Sequence, residues 1–190
     1  MTLSNIILSA LKFAIHALES RKIPYCLFGG LALQAYGRVR STLDVDIILS
    51  LEGWKMADFI GSLRREGLKI DPEKGIKKIG DFNFVRFTYT DKDSLIDVSV
   101  DFVTARTDFQ QEILSRRKNM DILGLNLYLC SCEDLILLKL ISERPLDQVD
   151  IQVLMEENRQ DLDFLYLEKW ARALNVYPSL KRLSKRRMQP

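Results

Sequence analysis

The run Leu43-Asp44-Val45-Asp46-Ile47-Ile48-Leu49 alternates apolar and acidic residues over its first five positions. A period of two is the pattern of a β-strand, so Leu43, Val45, Ile47 and Leu49 share one face while Asp44 and Asp46 share the other. Two strand rises of about 3.3 Å place the two acidic Cβ atoms roughly 6.5 Å apart, close enough for the carboxylates to converge. At an effective dielectric near 20 such charges repel by about 2.5 kcal/mol. A fold tolerates that with water around the pair or a cation between them. Oxygen-only ligands favour Mg²⁺ or Mn²⁺ over zinc.

Upstream, Tyr25-Cys26-Leu27-Phe28 reads as a short strand that turns through Gly29-Gly30 into a helix from Leu31 to about Tyr36, ended by Gly37. A glycine pair between strand and helix lets backbone amides approach a phosphate closely, and the helix adds its positive end. Ser41 and Thr42, just before the acidic strand, can donate hydroxyl hydrogen bonds to the same phosphates. Downstream, Phe82–Tyr89 and Leu95–Val103 form two strands around Thr90–Ser94, a hairpin. In the second strand Asp97, Ser99 and Asp101 share a face, with the two acids four rises, roughly 13 Å, apart. One of them joins Asp44 and Asp46. Asp101, at the strand end, is preferred, and Asp97 is its competitor. Three converging carboxylates can hold one or two metals, deprotonate an attacking hydroxyl and organise an in-line phosphoryl displacement.

The remaining segments frame this centre. Ile7, Leu11, Ile15 and Leu18 mark an amphipathic first helix, in which His16 has a structural place beside the stripe. No basic segment precedes this run, and Lys12, His16 and Glu19 interrupt it, so it is not read as a secretion signal. Residues 53–66 are helical, with Trp54, Phe59, Ile60 and Leu63 as candidate core, and 71–81 is a polar loop. A helix over 108–117 and a β-like run over 121–130 follow. Ser131-Cys132-Glu133-Asp134 resembles a capping box, and Pro145, Asp163 and Pro178 open further helices.

At 190 residues, with 47% hydrophobic and 28% charged, the chain is neither disordered nor collagen-like. Its 28 basic and 26 acidic residues leave a net +2, but Lys181, Arg182, Lys185, Arg186 and Arg187 crowd the end. The body without them is slightly acidic, which argues against a basic nucleic-acid-binding surface. The tail itself reads as a solvated helix end. Three cysteines without framework spacing read as reduced thiols in a cytoplasmic protein, and Cys130-x-Cys132 as two ordinary strand-end cysteines. No apolar run nears the roughly 20 residues that span a membrane.

Gly29-Gly30, then thirteen residues, then Asp44-x-Asp46 among apolar neighbours resembles the nucleotidyltransferase superfamily with the DNA polymerase β-like palm fold. The likeness is closest to small bacterial members, including abortive-infection and toxin–antitoxin subunits. Arg40–Asp46 is similar to that branch's acidic motif and Val100-Asp101-Phe102 to its third-carboxylate strand. Glu133–Lys139, Arg144–Asp147 and Asp150-Ile151 resemble its C-terminal helical motif. The resemblance implies that Asp44 and Asp46 bind Mg²⁺ or Mn²⁺ carrying a nucleoside triphosphate, ATP among the candidates. It implies that Asp101 is third ligand and activates the acceptor hydroxyl, and that Gly29 and Gly30, with Ser41 or Thr42, hold the triphosphate. Lys139 is the expected phosphate contact from the helical part. Arg40 reads as an exposed arginine or a phosphate-steering one, and Asp147 and Asp150 as surface partners of Arg144.

The expectation is an α+β chain: a mixed β-sheet flanked by helices over residues 1–130, with a helical C-terminal segment over 131–190. Its expected activity is metal-dependent transfer of a nucleoside monophosphate to the hydroxyl of RNA, a protein or a small molecule, in a toxin-like subunit with a partner protein or alone. The competing reading is a catalytically silent nucleotide-binding or regulatory module of the same fold.

Overall fold

The computed structural model describes residues 3–39, 41–70, 75–79 and 81–185. The first helix, α1 (Leu3–Glu19), leads into β1 (Tyr25–Phe28), α2 (Gly29–Ala35), β2 (Asp44–Leu49) and α3 (Met56–Arg65). Four strands follow or pair in the middle of the chain: β3 (Lys69–Ile70), β4 (Ile76–Ile79), β5 (Phe82–Thr90) and β6 (Asp97–Thr104). Next come α4 (Asp108–Ser115), β7 (Lys118–Ile122) and β8 (Leu125–Leu129). Four helices close the described chain: α5 (Cys132–Ser142), α6 (Pro145–Glu157), α7 (Phe164–Ala173) and α8 (Tyr177–Lys185).

These strands form one mixed sheet in the order β3-β5-β6-β2-β1-β8-β7, with β4 paired to β5 beside β3. The architecture is α+β, as the alternation of strands and helices predicts. The acidic strand β2 sits at the centre, antiparallel to β1 and parallel to β6.

One face of this centre is closed by packing. Val45, Ile47, Val100, Phe102, Val85 and Phe87 are all buried. Phe102 meets Phe59 of α3 and Phe87 of β5 edge to face, at 5.5 and 5.7 Å between ring centroids, a favoured aromatic geometry. α1 covers the same side, its Phe13 ring 5.7 Å from that of Tyr89. All four residues of the predicted α1 stripe are buried, and His16 is exposed. On the opposite face Ile48 is buried, so β2 is covered on both sides toward its end. Only its beginning, which carries Asp44 and Asp46, stays partly open.

The helical end is tied to the sheet by a buried polar cluster. Ser131 caps α5, accepting from the Asp134 N–H, and its hydroxyl donates to Asp134 Oδ2 at 2.7 Å. The reciprocal bond of a full capping box is thus made to the hydroxyl, because Asp is one methylene too short to reach back to the backbone. The Tyr166 hydroxyl donates to Asp134 Oδ1 at 2.6 Å, and Arg116 of the α4–β7 turn lies over the Tyr166 ring at 3.7 Å while reaching Glu133 at 3.4 Å.

Four sequence expectations need correction. The segment 71–81 contains β4, an edge strand whose Ile76 is exposed and whose middle is Lys77-Lys78, the charged residues common at sheet edges, so no apolar face marks it. The β-like run 121–130 belongs to a hairpin, β7–β8, that starts earlier and turns at Leu123-Gly124, both at positive φ. Trp54 lies before α3 and is 36% exposed, outside the core. Helix α2 starts at Gly29, so the glycine pair forms its first turn instead of preceding it.

Candidate active site

The pairing of β1, β2, β6 and β5 builds the site row by row. Phe28 stands opposite Asp46, Asp46 opposite Asp101, and Asp101 opposite Arg86. Residues directly opposite in adjacent strands project from the same face, so Asp46, Asp101 and Arg86 form one row. The neighbouring row is Asp44, Ser99 and Thr88. Asp97 lies at the exposed start of β6, paired to Thr90 and accepting its hydroxyl at 2.7 Å. Register therefore brings Asp101 beside Asp46 and leaves Asp97 at the rim.

The β1–α2 turn is shaped around the acids. Gly29 has φ +67°, and a Cβ there would overlap the Asp46 carboxylate. At Gly30 a Cβ would come within 2.7 Å of both Cβ and Oγ1 of Thr42. Both glycines are thus required by close approach, Gly29 by its backbone conformation as well. Thr42 hydrogen-bonds across its own turn, its Oγ1 accepting from the Asp44 N–H at 3.3 Å, while Ser41 is exposed. Arg40 lies outside the described residues.

Burial, then the carboxylates of Asp101 and Asp44, push the Asp46 carboxyl up to about 7, against the pull of Arg144 and Arg86. Asp101 is buried and held by Arg86 in a bidentate pair, Nε donating to Oδ1 at 2.7 Å and Nη2 to Oδ2. Neither arginine was singled out for the site by sequence. Arg144 is the exposed N-cap of α6, presented by Glu143 in the left-handed region at φ 54°.

Lys139 is placed differently from its expected phosphate contact. It is 6% exposed, and its ammonium donates to Asp147 and Asp150, each at 2.8 Å. Asp147 and Asp150 are correspondingly buried, not surface partners of Arg144, and Asp150 also accepts from Arg38 at 3.2 Å. A lysine on a helix buried nearly all round satisfies its charge internally. Among the described residues Arg144 and Arg86 are the cations whose charge acts on Asp46.

The donor chemistry suits a hard divalent cation. Asp44 and Asp46 share a face and offer only oxygen, and Mg²⁺ is commonly held by one or two carboxylates with the remainder from substrate phosphates and water. Among the described residues no three Asp, Glu, His or Cys side chains converge as a closed metal cage. Asp101 has both oxygens turned to Arg86. The three cysteines are free and buried, apart from this site.

Comparison with known proteins agrees with the geometry. Residues 6–189 match the family model described as a nucleotidyltransferase of unknown function (DUF6036). The chain belongs to this nucleotidyltransferase family. No curated protein sequence matches it. Among solved structures, the solution structure of the antibiotic-resistance factor ANT(2'')-Ia superposes with a TM-score of 0.59 at 15% identity, covering 95% of this chain and 97% of that one. The lincosamide antibiotic adenylyltransferase LnuA, lincomycin-bound, gives 0.52 at 17% identity over 76% and 93%. An antigenic nucleotidyltransferase-like protein from Paracoccidioides brasiliensis gives 0.53 at 16% over 95% and 90%. At these identities the likeness is one of fold.

Proposed function

We propose that this nucleotidyltransferase moves a nucleoside monophosphate from a triphosphate, with Mg²⁺ or Mn²⁺, to a hydroxyl of a small polar acceptor. The observation that carries the reading is the row Asp46–Asp101 beside Asp44 and the Gly29-Gly30 turn. Asp44 and Asp46 would hold the divalent ion, which when bound offsets the charge of the triphosphate. Gly29 and Gly30, which approach Asp46 and Thr42, would with Ser41 and Thr42 hold the triphosphate, and Arg144 would take the phosphate-facing part expected of Lys139. The acceptor hydroxyl oxygen attacks the α-phosphorus, its proton passes to Asp101, and the bond to pyrophosphate breaks.

The choice of acceptor rests on the open sheet face. Beyond the acids it presents Ser99, Thr88, Thr90 and the exposed Asp97. Hydroxyls and carboxylates suit a hydroxyl- and amine-rich small molecule, whereas they repel a phosphate backbone. A structure of ANT(2'')-Ia in complex with adenylyl-2''-tobramycin, TM-score 0.58 at 16% identity, lends the fold a precedent.

The test incubates the protein with Mg²⁺, each of four α-labelled triphosphates, and aminoglycosides, lincosamides, RNA or bulk protein. Label should appear in a small molecule and vanish with Asp44→Asn. Label in RNA overturns the acceptor choice, and label surviving Asp44→Asn overturns the site. Stabilisation by nucleotide without any transfer identifies a silent binding module.

A further inference from the structure

The third acid of the row is already partnered. Arg86 grips both oxygens of Asp101 through two different guanidinium nitrogens, the fork geometry that gives arginine–carboxylate pairs their strength. The contact is built by register, since Arg86 and Asp101 are directly opposite in an antiparallel pair. It is backed by the main chain, because the Arg86 N–H donates to the Gly75 carbonyl at 2.9 Å on the other side. Asp101 is buried while Arg86 is about one-third exposed, so the guanidinium is the more open member of the pair. Among the described residues Asp44 is in no such ion pair, and Asp46 lies against Gly29.

We infer that Arg86 is a positioning residue that keeps Asp101 out of the metal's ligand set, so that Asp44 and Asp46 alone bind the ion and Asp101 remains the acceptor's proton acceptor. This rests on the function proposed above. The resulting metal site has two carboxylates instead of three. The Arg86–Asp101 pair is internally neutral. Removing only the arginine frees a carboxylate next to Asp46 and deletes a positive charge beside the ion. Removing both leaves the charge balance unchanged.

The test titrates Mn²⁺ into the metal-free protein without nucleotide, reading free Mn²⁺ by electron paramagnetic resonance. Asp44→Asn should lose binding. Arg86→Gln should bind roughly tenfold tighter or more, as removal of a nearby like charge requires. The double variant Arg86→Gln with Asp101→Asn should return to wild-type affinity. Arg86→Lys, which keeps the charge, should stay close to wild type. An Arg86→Gln protein that binds no tighter overturns the inference, as does a double variant that binds as poorly as Asp44→Asn. If Arg86→Gln does not fold, the charge-balanced double variant decides alone. If Asp44→Asn binds Mn²⁺ as well as wild type, the proposed function fails with its site, a result distinct from failure of the Arg86 assignment.

Discussion

The carboxylate of Asp46 occupies the space that a side chain on Gly29 would need. The strand that supplies the acid and the turn beside it are therefore fitted to each other at one residue. Gly29→Ala would force a left-handed backbone on alanine, worth about 1–2 kcal/mol, and push Asp46 aside as well. Its unfolding free energy should fall by about 2 kcal/mol or more, and nucleotidyl transfer should drop further than stability explains. Urea melts and label transfer on the same preparation check this.

Asp46 links stability to pH. An acid whose pKa is raised by folding, here from 3.8 to about 7, binds more protons folded than unfolded between those values. Its contribution therefore falls as pH rises through that window and is flat above it. Asp46→Asn should remove this slope in metal-free protein. The stability difference, variant minus wild type, should grow in the variant's favour from about pH 4 to about pH 7 and then level. The total is on the order of a few kcal/mol. Urea melts at each pH measure it; a difference that is constant with pH would refute the assignment.

Lys139 is a structural cation. Lys139→Met leaves Asp147 and Asp150 without the ammonium between them, and breaking a buried pair in this way costs about 3–5 kcal/mol. Adding Asp147→Asn should recover part of that loss. Chemical denaturation of the two variants tests it, and a solvent-facing phosphate ligand would behave oppositely, losing activity with little change in stability.

The thiols should be silent. Burial pushes Cys26 and Cys130 far up and Cys132 to about 12. A thiol-reactive disulfide reagent at pH 7.5 should label none of the three in folded protein and all three after unfolding. Rapid labelling of native protein would show that a strand end opens.

The central strands could be read from sequence because burial on one face writes a period of two, clear in Val45 and Ile47 against Asp44 and Asp46. Asp101 is preferred in sequence as a strand-end residue, yet β6 runs Asp97–Thr104, and it is the register with β2 that sets Asp101 beside Asp46. Arg86 escaped notice because hairpin register depends on the turn. Ending the strands at Tyr89 and Leu95 would face Arg86 with Val98, whereas pairing Thr90 with Asp97 faces it with Asp101. The placement of Lys139 escaped the sequence for a similar reason. Residue type marks it as a phosphate contact, and only packing between α5 and α6 shows its ammonium engaged by Asp147 and Asp150. The edge strand β4 and the β7–β8 turn were missed where polar residues and a single glycine carry little pattern.

The parallel register of β2 on β6 serves two ends at once. A slip of one residue would set Val100 or Phe102 beside Asp46 and turn Asp101 toward the aromatic packing around Phe59. Every side chain of the strand would change sides. A chain in which these strands have found the wrong partners thus loses its apolar interior together with its chemistry, and no mispaired form can linger as a half-competent enzyme. Quality control of the reaction centre is built into the act of folding.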